Sequence, residues 1–353
     1  MTKPPYRVPG MDEIRAIPWN GYNVISTFSG CGGSSLGYRM AGFKVLWASE
    51  FIDAARETYC ANKAPYTVVD GRDIREVAAA EILTATGLKP GELDLFDGSP
   101  PCASFSTAGK REAGWGEVKK YSDKSQRTDD LFYEYTRLLR DLQPKTFVAE
   151  NVSGLVKGTA KGYFKRILTE MKACGYRVTC KVLDAQWLGV PQARERSIFV
   201  GVREDLGIDP VHPSPLPYRY VAGEVLADLP DGLTRTMNPK TSTYRYWKLT
   251  KPGDNFAKAV KEKTGKGSYF NQSKLSPHKP APTVTATVQQ FHWAEPRYLS
   301  IPEVRRFCGF PDDFILIGDF ARQWERMGRA VPPVMMSKIG ETIRDEVLRK
   351  CAA

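Results

Sequence analysis

Through the first two hundred positions the apolar residues keep two alternating rhythms. Short β-rich runs at 22–28 (YNVISTF), 43–49 (FKVLWAS), 93–97, 146–149, 176–183 and 197–202 predict strands. Between them, 34–41, 52–62 and 129–142 carry apolar residues at helical spacing and predict helices. Strands alternating with helices predict an α/β fold, a mainly parallel sheet with helices on both faces. Beyond Arg203 the rhythm is lost. Pro210, Pro213, Pro215 and Pro217 crowd one stretch, and no clear alternation returns before 328–333 leads into a helix over about 334–350. A second, smaller domain of irregular structure is expected there.

Composition narrows the class. With 353 residues, 42% hydrophobic and 26% charged, the chain suits one large globular domain plus a smaller one. No apolar run approaches the eighteen residues of a membrane span. Residues 1–18 carry charges and prolines and lack the apolar centre of a signal peptide, so a cytoplasmic protein is expected, nucleoid-associated in a bacterium or phage-infected cell. The seven cysteines (Cys31, Cys60, Cys102, Cys174, Cys180, Cys308 and Cys351) are scattered and form no C-x-x-C pair, which argues against a disulfide framework or structural zinc and predicts no metal. Net charge is +11, and 233–280 alone holds eleven Lys/Arg against Asp254 and Glu262. The same stretch carries Tyr244, Tyr246, Trp247, Phe256, Tyr269 and Phe270. Basic residues interleaved with aromatics suit a polyanion with stackable bases, although a solvated lysine-rich face has the same composition.

Candidate chemistry gathers where predicted strands end. Phe28-Ser29-Gly30-Cys31-Gly32-Gly33 lies between the first strand and first helix, where glycines let a ligand approach backbone N–H groups. Glu50, twenty positions after Gly30, ends the second strand, where an acid binds ribose hydroxyls in nucleotide-binding folds. Ser35 stands where a dinucleotide fingerprint would place its third glycine, which counts against a nicotinamide oxidoreductase. Asp73 follows the third strand and could bind an adenine amine or simply cap a helix.

Asp97-Gly98-Ser99-Pro100-Pro101-Cys102 follows a buried strand directly, and the prolines keep Cys102 out of a helix. Lys110 and Arg111 could favour its thiolate, otherwise minor for a thiol that titrates near ~8.5. Glu150-Asn151-Val152 ends the next strand. Gln192-Ala193-Arg194-Glu195-Arg196 precedes the last, and alternation predicts that Arg194 and Arg196 point the same way.

These segments together resemble the DNA (cytosine-5) methyltransferases. Phe28–Gly33 is similar to the family's first motif, Pro101-Cys102 with Phe105-Ser106 to its catalytic motif, Glu150-Asn151-Val152 to ENV, and Gln192-x-Arg194-x-Arg196 to QxRxR. Pro282-Thr283, Arg305–Pro311 and Gly328-Arg329-Ala330-Val331-Pro332 resemble the later motifs, in family order across 22–345. The resemblance implies a Rossmann-like class I methyltransferase sheet with helices on both faces, plus a smaller irregular target-recognition domain. It places the catalytic domain at 1–203, target recognition at 204–295, and a C-terminal segment returning to the catalytic domain at 296–353. It implies Cys102 as nucleophile toward cytosine C6, with Glu150, Arg194 and Arg196 holding the base. S-adenosyl-L-methionine would lie against Phe28, Ser29, Gly30, Gly32, Gly33, Glu50, Phe51, Asp73, Ile74, Pro100, Arg329 and Val331. Duplex DNA would meet Ser104, Ser106, Lys110, Arg111, Arg245, Lys248, Lys251 and Thr283, with the target base flipped out of the stack. A monomer is expected, in a system that can include a cognate restriction endonuclease.

Two positions depart from the family pattern. Ala103 replaces the usual glutamine, which leaves the chemistry intact. Arg329 replaces asparagine near the implied donor pocket, where a guanidinium would oppose a sulfonium but pair with a carboxylate. Two directions are therefore open for it: transfer of a carboxymethyl group from carboxy-S-adenosyl-L-methionine, giving 5-carboxymethylcytosine, or an outward ion pair that leaves ordinary methylation. An RNA-modifying relative and a silent DNA-binding homologue are further alternatives.

Overall fold

The computed structural model of the chain describes residues 3–101, 119–121, 124–126, 130–157, 161–229, 232, 234–265 and 272–351. These form two compact units. One comprises Asp12–Leu183, Glu195–Ser214 and Met336–Ala353; the other comprises Met1–Met11, Asp184–Arg194 and Pro215–Met335.

The first unit is built on seven strands: β1 Asn23–Thr27, β2 Lys44–Ser49, β3 Val68–Asp70, β4 Leu95–Gly98, β5 Thr146–Val152, β6 Tyr176–Asp184 and β7 Glu195–Arg203. Their spatial order is β3-β2-β1-β4-β5-β7-β6. The pairings β3–β2, β2–β1, β1–β4 and β4–β5 are parallel, and β7 runs antiparallel to β5. All four residues of β4 and the first six of β5 are buried, as strands covered on both faces must be. That double burial explains why their sequences read as apolar runs rather than alternations.

The helices between strands are α1 Gly33–Met40, α2 Asp53–Asn62, α3 Ala79–Thr86, α4 Leu131–Leu142 and α5 Lys161–Ala173. On α4, Leu131, Tyr135, Leu138 and Leu142 recur at helical spacing and pack with Ile25, Phe96, Phe147 and Phe199 in one core cluster. Burying a side chain such as Phe147 contributes roughly 2–3 kcal/mol. Its ring covers its cross-strand partner, Gly201, so closely that a Cβ there would fall 1.9 Å from a ring carbon.

The second unit is mostly irregular, and its strand pairings are two residues long. The basic stretch nevertheless contains two capped helices, α6 Ser242–Leu249 and α7 Phe256–Thr264. Thr241 Oγ1 accepts from Tyr244 N, and Asn255 Oδ1 from Ala257 N. Met237, Trp247, Phe256 and Phe291 form the local core, with Tyr244, Tyr246 and Tyr298 against it. Trp247 and Phe256 are therefore packing residues rather than a platform for bases. Apolar burial decides their direction, which composition alone does not reveal.

Gly201→Ala should cost about 2 kcal/mol in urea unfolding, because the methyl overpacks a filled interface. Combined with Phe147→Leu, the loss should be smaller than the two single losses added, since both act on one contact.

Candidate active site

Strand register sets the geometry. Thr27, Gly98 and Ala149 share one row across β1, β4 and β5. The next residues along these parallel strands are Phe28, Ser99 and Glu150, so three segments of separate sequence meet at one end of the sheet. The connections reverse between β1 and β4, the switch point at which open α/β sheets bind ligands.

The loop after β1 is shaped by unusual backbone. Phe28 has φ 52, uncommon for a residue with a side chain. Gly32, at φ 99, caps α1, and a Cβ there would press on the Tyr59 ring at 3.0 Å. Ser29 N donates to Ser49 O at 2.9 Å, tying the loop to the end of β2. Glu50 accepts from Gly30 N and Ile52 N, one bond to each carboxylate oxygen, both at 2.7 Å. A Cβ placed on Gly30 would meet nothing within 4 Å, so the loop has open space above it. Phe51 is half-buried and Ile74 buried. Asp73 caps the turn Ile74–Glu76, and its carboxylate is held at 2.8 Å by Arg75, which also pairs with Asp130 at 2.6 Å.

At the far side of the edge, Arg196 Nε meets Glu150 Oε1 at 2.8 Å, with both side chains nearly buried. Arg196 pairs in register with Val152, so antiparallel β7 brings it to the edge where Glu150 emerges. Burial pulls the Arg196 guanidinium below its usual range, with Glu150 opposing the shift. Asn151 Nδ2 donates to Pro100 O at 3.1 Å, fixing the approach to Cys102. Cys102 itself, with Ser104, Ser106, Lys110 and Arg111, lies outside the described residues.

Glu150 and Arg196 lie within strands, not just beyond them as the sequence suggested: β5 continues after its partner β4 has ended, and β7 starts at Glu195. Arg194 and Arg196 do not share contacts. Arg194 is the break between Gln192–Ala193 and β7, which interrupts the alternation that would align the two. It is buried, and its guanidinium donates to Val284 O at 2.9 Å and Gly328 O at 3.1 Å. Gln192 Oε1 accepts from Val284 N, and Trp324 Nε1 donates to Thr285 O. Thr283 belongs to the same clamp, donating to Ala193 O at 2.6 Å. Val331 is buried, whereas Arg329 is exposed and pairs with Glu325 at 2.8 Å. Arg245, Lys248 and Lys251 are exposed, with Lys248 Nζ 4.9 Å above the Tyr244 ring.

The family profile for C-5 cytosine-specific DNA methylases matches residues 22–345. The chain belongs to the C-5 cytosine-specific DNA methylase family. Type II methyltransferase M.NgoFVII of Neisseria gonorrhoeae is 31% identical over 340 residues, covering 91% of this chain and 86% of that protein. Type II methyltransferase M.Sau96I of Staphylococcus aureus is 31% identical over 342 residues, covering 91% and 75%. Among solved structures, Spodoptera frugiperda DNMT2 has the same fold, with TM-score 0.65, 15% identity, and 94% and 100% covered. The chain is thus a DNA (cytosine-5) methyltransferase with a Rossmann-like sheet. Among the described residues, no helix is long and apolar enough to cross a membrane, and no cluster of side chains could hold a metal ion.

The methyltransferase also contains a feature that sequence reasoning missed. Asp97, on β4, is buried; Ser26 Oγ donates to one carboxylate oxygen at 2.8 Å and Tyr38 OH to the other at 2.9 Å. Burial pushes its pKa up to about 7, against the pull of those two donors, and Glu150 adds to the rise. The one sequence signal was an acid inside an otherwise apolar buried strand.

Because the folded chain favours protonated Asp97, its stabilising contribution is complete below the unfolded value of ~3.9 and is lost as pH rises through about 7. Asp97→Asn should therefore raise the melting temperature relative to the parent, with the gain growing between pH 5 and pH 8. A shift of this size corresponds to about 4 kcal/mol at the upper end. A gain that does not change with pH would contradict the assignment.

Proposed function

We propose that this enzyme methylates C5 of a cytosine flipped out of duplex DNA, through a covalent bond between Cys102 and C6, using S-adenosyl-L-methionine. The observation that carries the proposal is the shared sheet edge. There the loop Phe28–Gly33 and the segment leading to Cys102 follow β1 and β4, beside the Glu150–Arg196 pair carried on β5 and β7.

The residues present fit the donor. Among the described residues there is open space over Gly30 for it, Glu50 stands at the end of β2 for the ribose hydroxyls, and Asp73 lies beside Ile74 for the adenine. When bound, S-adenosyl-L-methionine supplies an electrophilic methyl group on a cationic sulfur. Cys102, as thiolate, adds to C6 of the base, and the electron pair displaced from the C5–C6 bond makes C5 nucleophilic. Glu150 holds N3 and the exocyclic amine and favours the charge that develops on addition. Arg196 fixes the direction of that carboxylate. After transfer, loss of the C5 proton and expulsion of the Cys102 sulfur restore the aromatic ring.

Arg194 holds Val284 and Gly328 within the second unit. Exposed Arg245, Lys248 and Lys251 suit phosphate contacts. The relatives are named Type II methyltransferases, which supports a restriction–modification setting with a companion endonuclease. The ion pair between Arg329 and Glu325 supports methyl over carboxymethyl transfer, because the guanidinium already has a carboxylate partner on its own helix.

Nucleosides from duplex DNA incubated with both donors in competition should show 5-methylcytosine alone by mass spectrometry. A 5-carboxymethylcytosine peak, abolished by Arg329→Asn, would instead make Arg329 the reader of a donor carboxylate. Duplex DNA containing 5-fluorocytosine should become covalently attached to the enzyme, and Cys102→Ala should abolish the attachment. Failure of the parent to trap would indicate a silent DNA-binding homologue, and faster methylation of RNA would reassign the substrate.

A further inference from the structure

A buried carboxyl without a cationic partner is costly, and a strand centre has no structural need of one. Among the described residues, no lysine, arginine or histidine forms an ion pair with Asp97, and its hydrogen-bond partners are the hydroxyls of Ser26 and Tyr38. It occupies the switch point itself, in register with Ser26 across β1 and β4. The contacts continue toward the loop: Ser29 Oγ donates to Ser26 O and lies 3.0 Å from Ser26 Oγ. Ser29, Ser26 and Asp97 thus form a buried chain from the glycine-containing loop down to one carboxyl group. The same strand then runs through Gly98, where a Cβ would fall 2.6 Å from both Thr27 Oγ1 and the Tyr135 ring, so the packing around Asp97 is tight.

The groups facing Asp97 are themselves neutral or acidic. They are Tyr38 on α1, Tyr59 on α2, Tyr135 on α4 and Glu150 on β5, and Glu150 already has Arg196. Among the described residues, the ionised carboxylate therefore lacks a counter-charge. A ligand seated on the loop can provide one.

From this placement we infer that Asp97, when ionised, is the anion beneath the donor loop, and that it makes the site prefer the cationic sulfonium donor over its neutral thioether product. The inference rests on S-adenosyl-L-methionine being the donor, as proposed above. Asp97 touches no reacting atom in this account. It is a positioning charge, acting through Ser26 and Ser29 and through its field. Since the carboxyl titrates near neutrality, its charge appears as pH rises through about 7. Preference for the donor should rise across the same interval.

The test is equilibrium binding, which does not depend on turnover. Dissociation constants for S-adenosyl-L-methionine and S-adenosyl-L-homocysteine would be measured calorimetrically at pH 6 and pH 8. The parent and Asp97→Asn would be compared, so that titration of the ligands' own amino groups cancels. At pH 8 Asp97→Asn should weaken donor binding about tenfold, the scale of one charge pair inside a protein, and alter product binding less than twofold. The rise in donor preference from pH 6 to pH 8 should be present in the parent and absent from Asp97→Asn.

Tyr38→Phe gives a second, independent reading. It removes a hydrogen bond to the ionised form, so the pH interval of the preference should move upward. Equal donor-to-product ratios in the parent and Asp97→Asn at pH 8 would overturn the inference, as would an unmoved interval in Tyr38→Phe. If the parent bound neither ligand, the donor assignment itself would fail, which is a different result from binding both without discrimination.

Discussion

The parallel pairing of β1 with β4 is the constraint from which the sheet unit takes its function. Every other strand joins the sheet outward from these two, and the connections reverse between them. Reversal leaves no crossover helix above this pair's carboxyl ends, so an open crevice follows from connectivity alone. Register then does the selecting. With Thr27, Gly98 and Ala149 in one row, the loop after β1, the segment toward Cys102 and Glu150 emerge together. A slip of one residue in β4 would turn Asp97 and every other side chain of that strand to the opposite face. The dense aromatic packing of Phe96, Tyr135 and Phe147 resists such a slip.

The two acids at this edge are held by opposite means. Glu150 has a guanidinium at 2.8 Å, so its negative charge is balanced inside the protein and its direction is fixed. Among the described residues, Asp97 is held by hydroxyl donors, and its charge follows the pH. Breaking a buried ion pair strands one charge, whereas neutralising a lone buried acid relieves a cost. One acid is thus bound into the stability of the fold, and the other weakens it above neutral pH. A residue that costs stability at a ligand site is most simply understood through what it does for the ligand.

Much of this was legible in the sequence, for a physical reason. Strands buried on both faces need continuous apolar runs, and the residue after such a run is where a side chain becomes free to do chemistry. Phe28 and Glu50 stand at such positions, whereas Glu150 lies within β5, which continues to Val152. Arg194 was not placed correctly, because alternation assumes one unbroken strand and the chain breaks there. The helices of the basic stretch were hidden because their apolar positions are aromatic and sparse, and only the packing of Trp247 and Phe256 identifies them as core. Asp97 was passed over because a lone acid at the end of an apolar run looks like the strand's end. In the structure it is still one residue inside, and its strand-mate Ser26 is too far away in sequence to suggest the pair.

The proposed choice of donor draws on two separate observations. On the helix Phe320–Arg329, Glu325 occupies the position one turn before Arg329 and takes up its charge. In the sheet, an anionic Asp97 beneath the loop would repel a donor carrying an additional carboxylate, just as it attracts a simple sulfonium. For a carboxylated donor to be used, the Arg329–Glu325 pair would have to open and Asp97 would have to remain protonated. The second condition is met below about pH 7, whereas burial is outweighed by Arg326 and Arg329, which hold the Glu325 carboxyl below its usual range, so the ion pair persists there. Exclusive methyl transfer should therefore be most secure at alkaline pH, where Asp97 joins the already ionised Glu325 in carrying its charge.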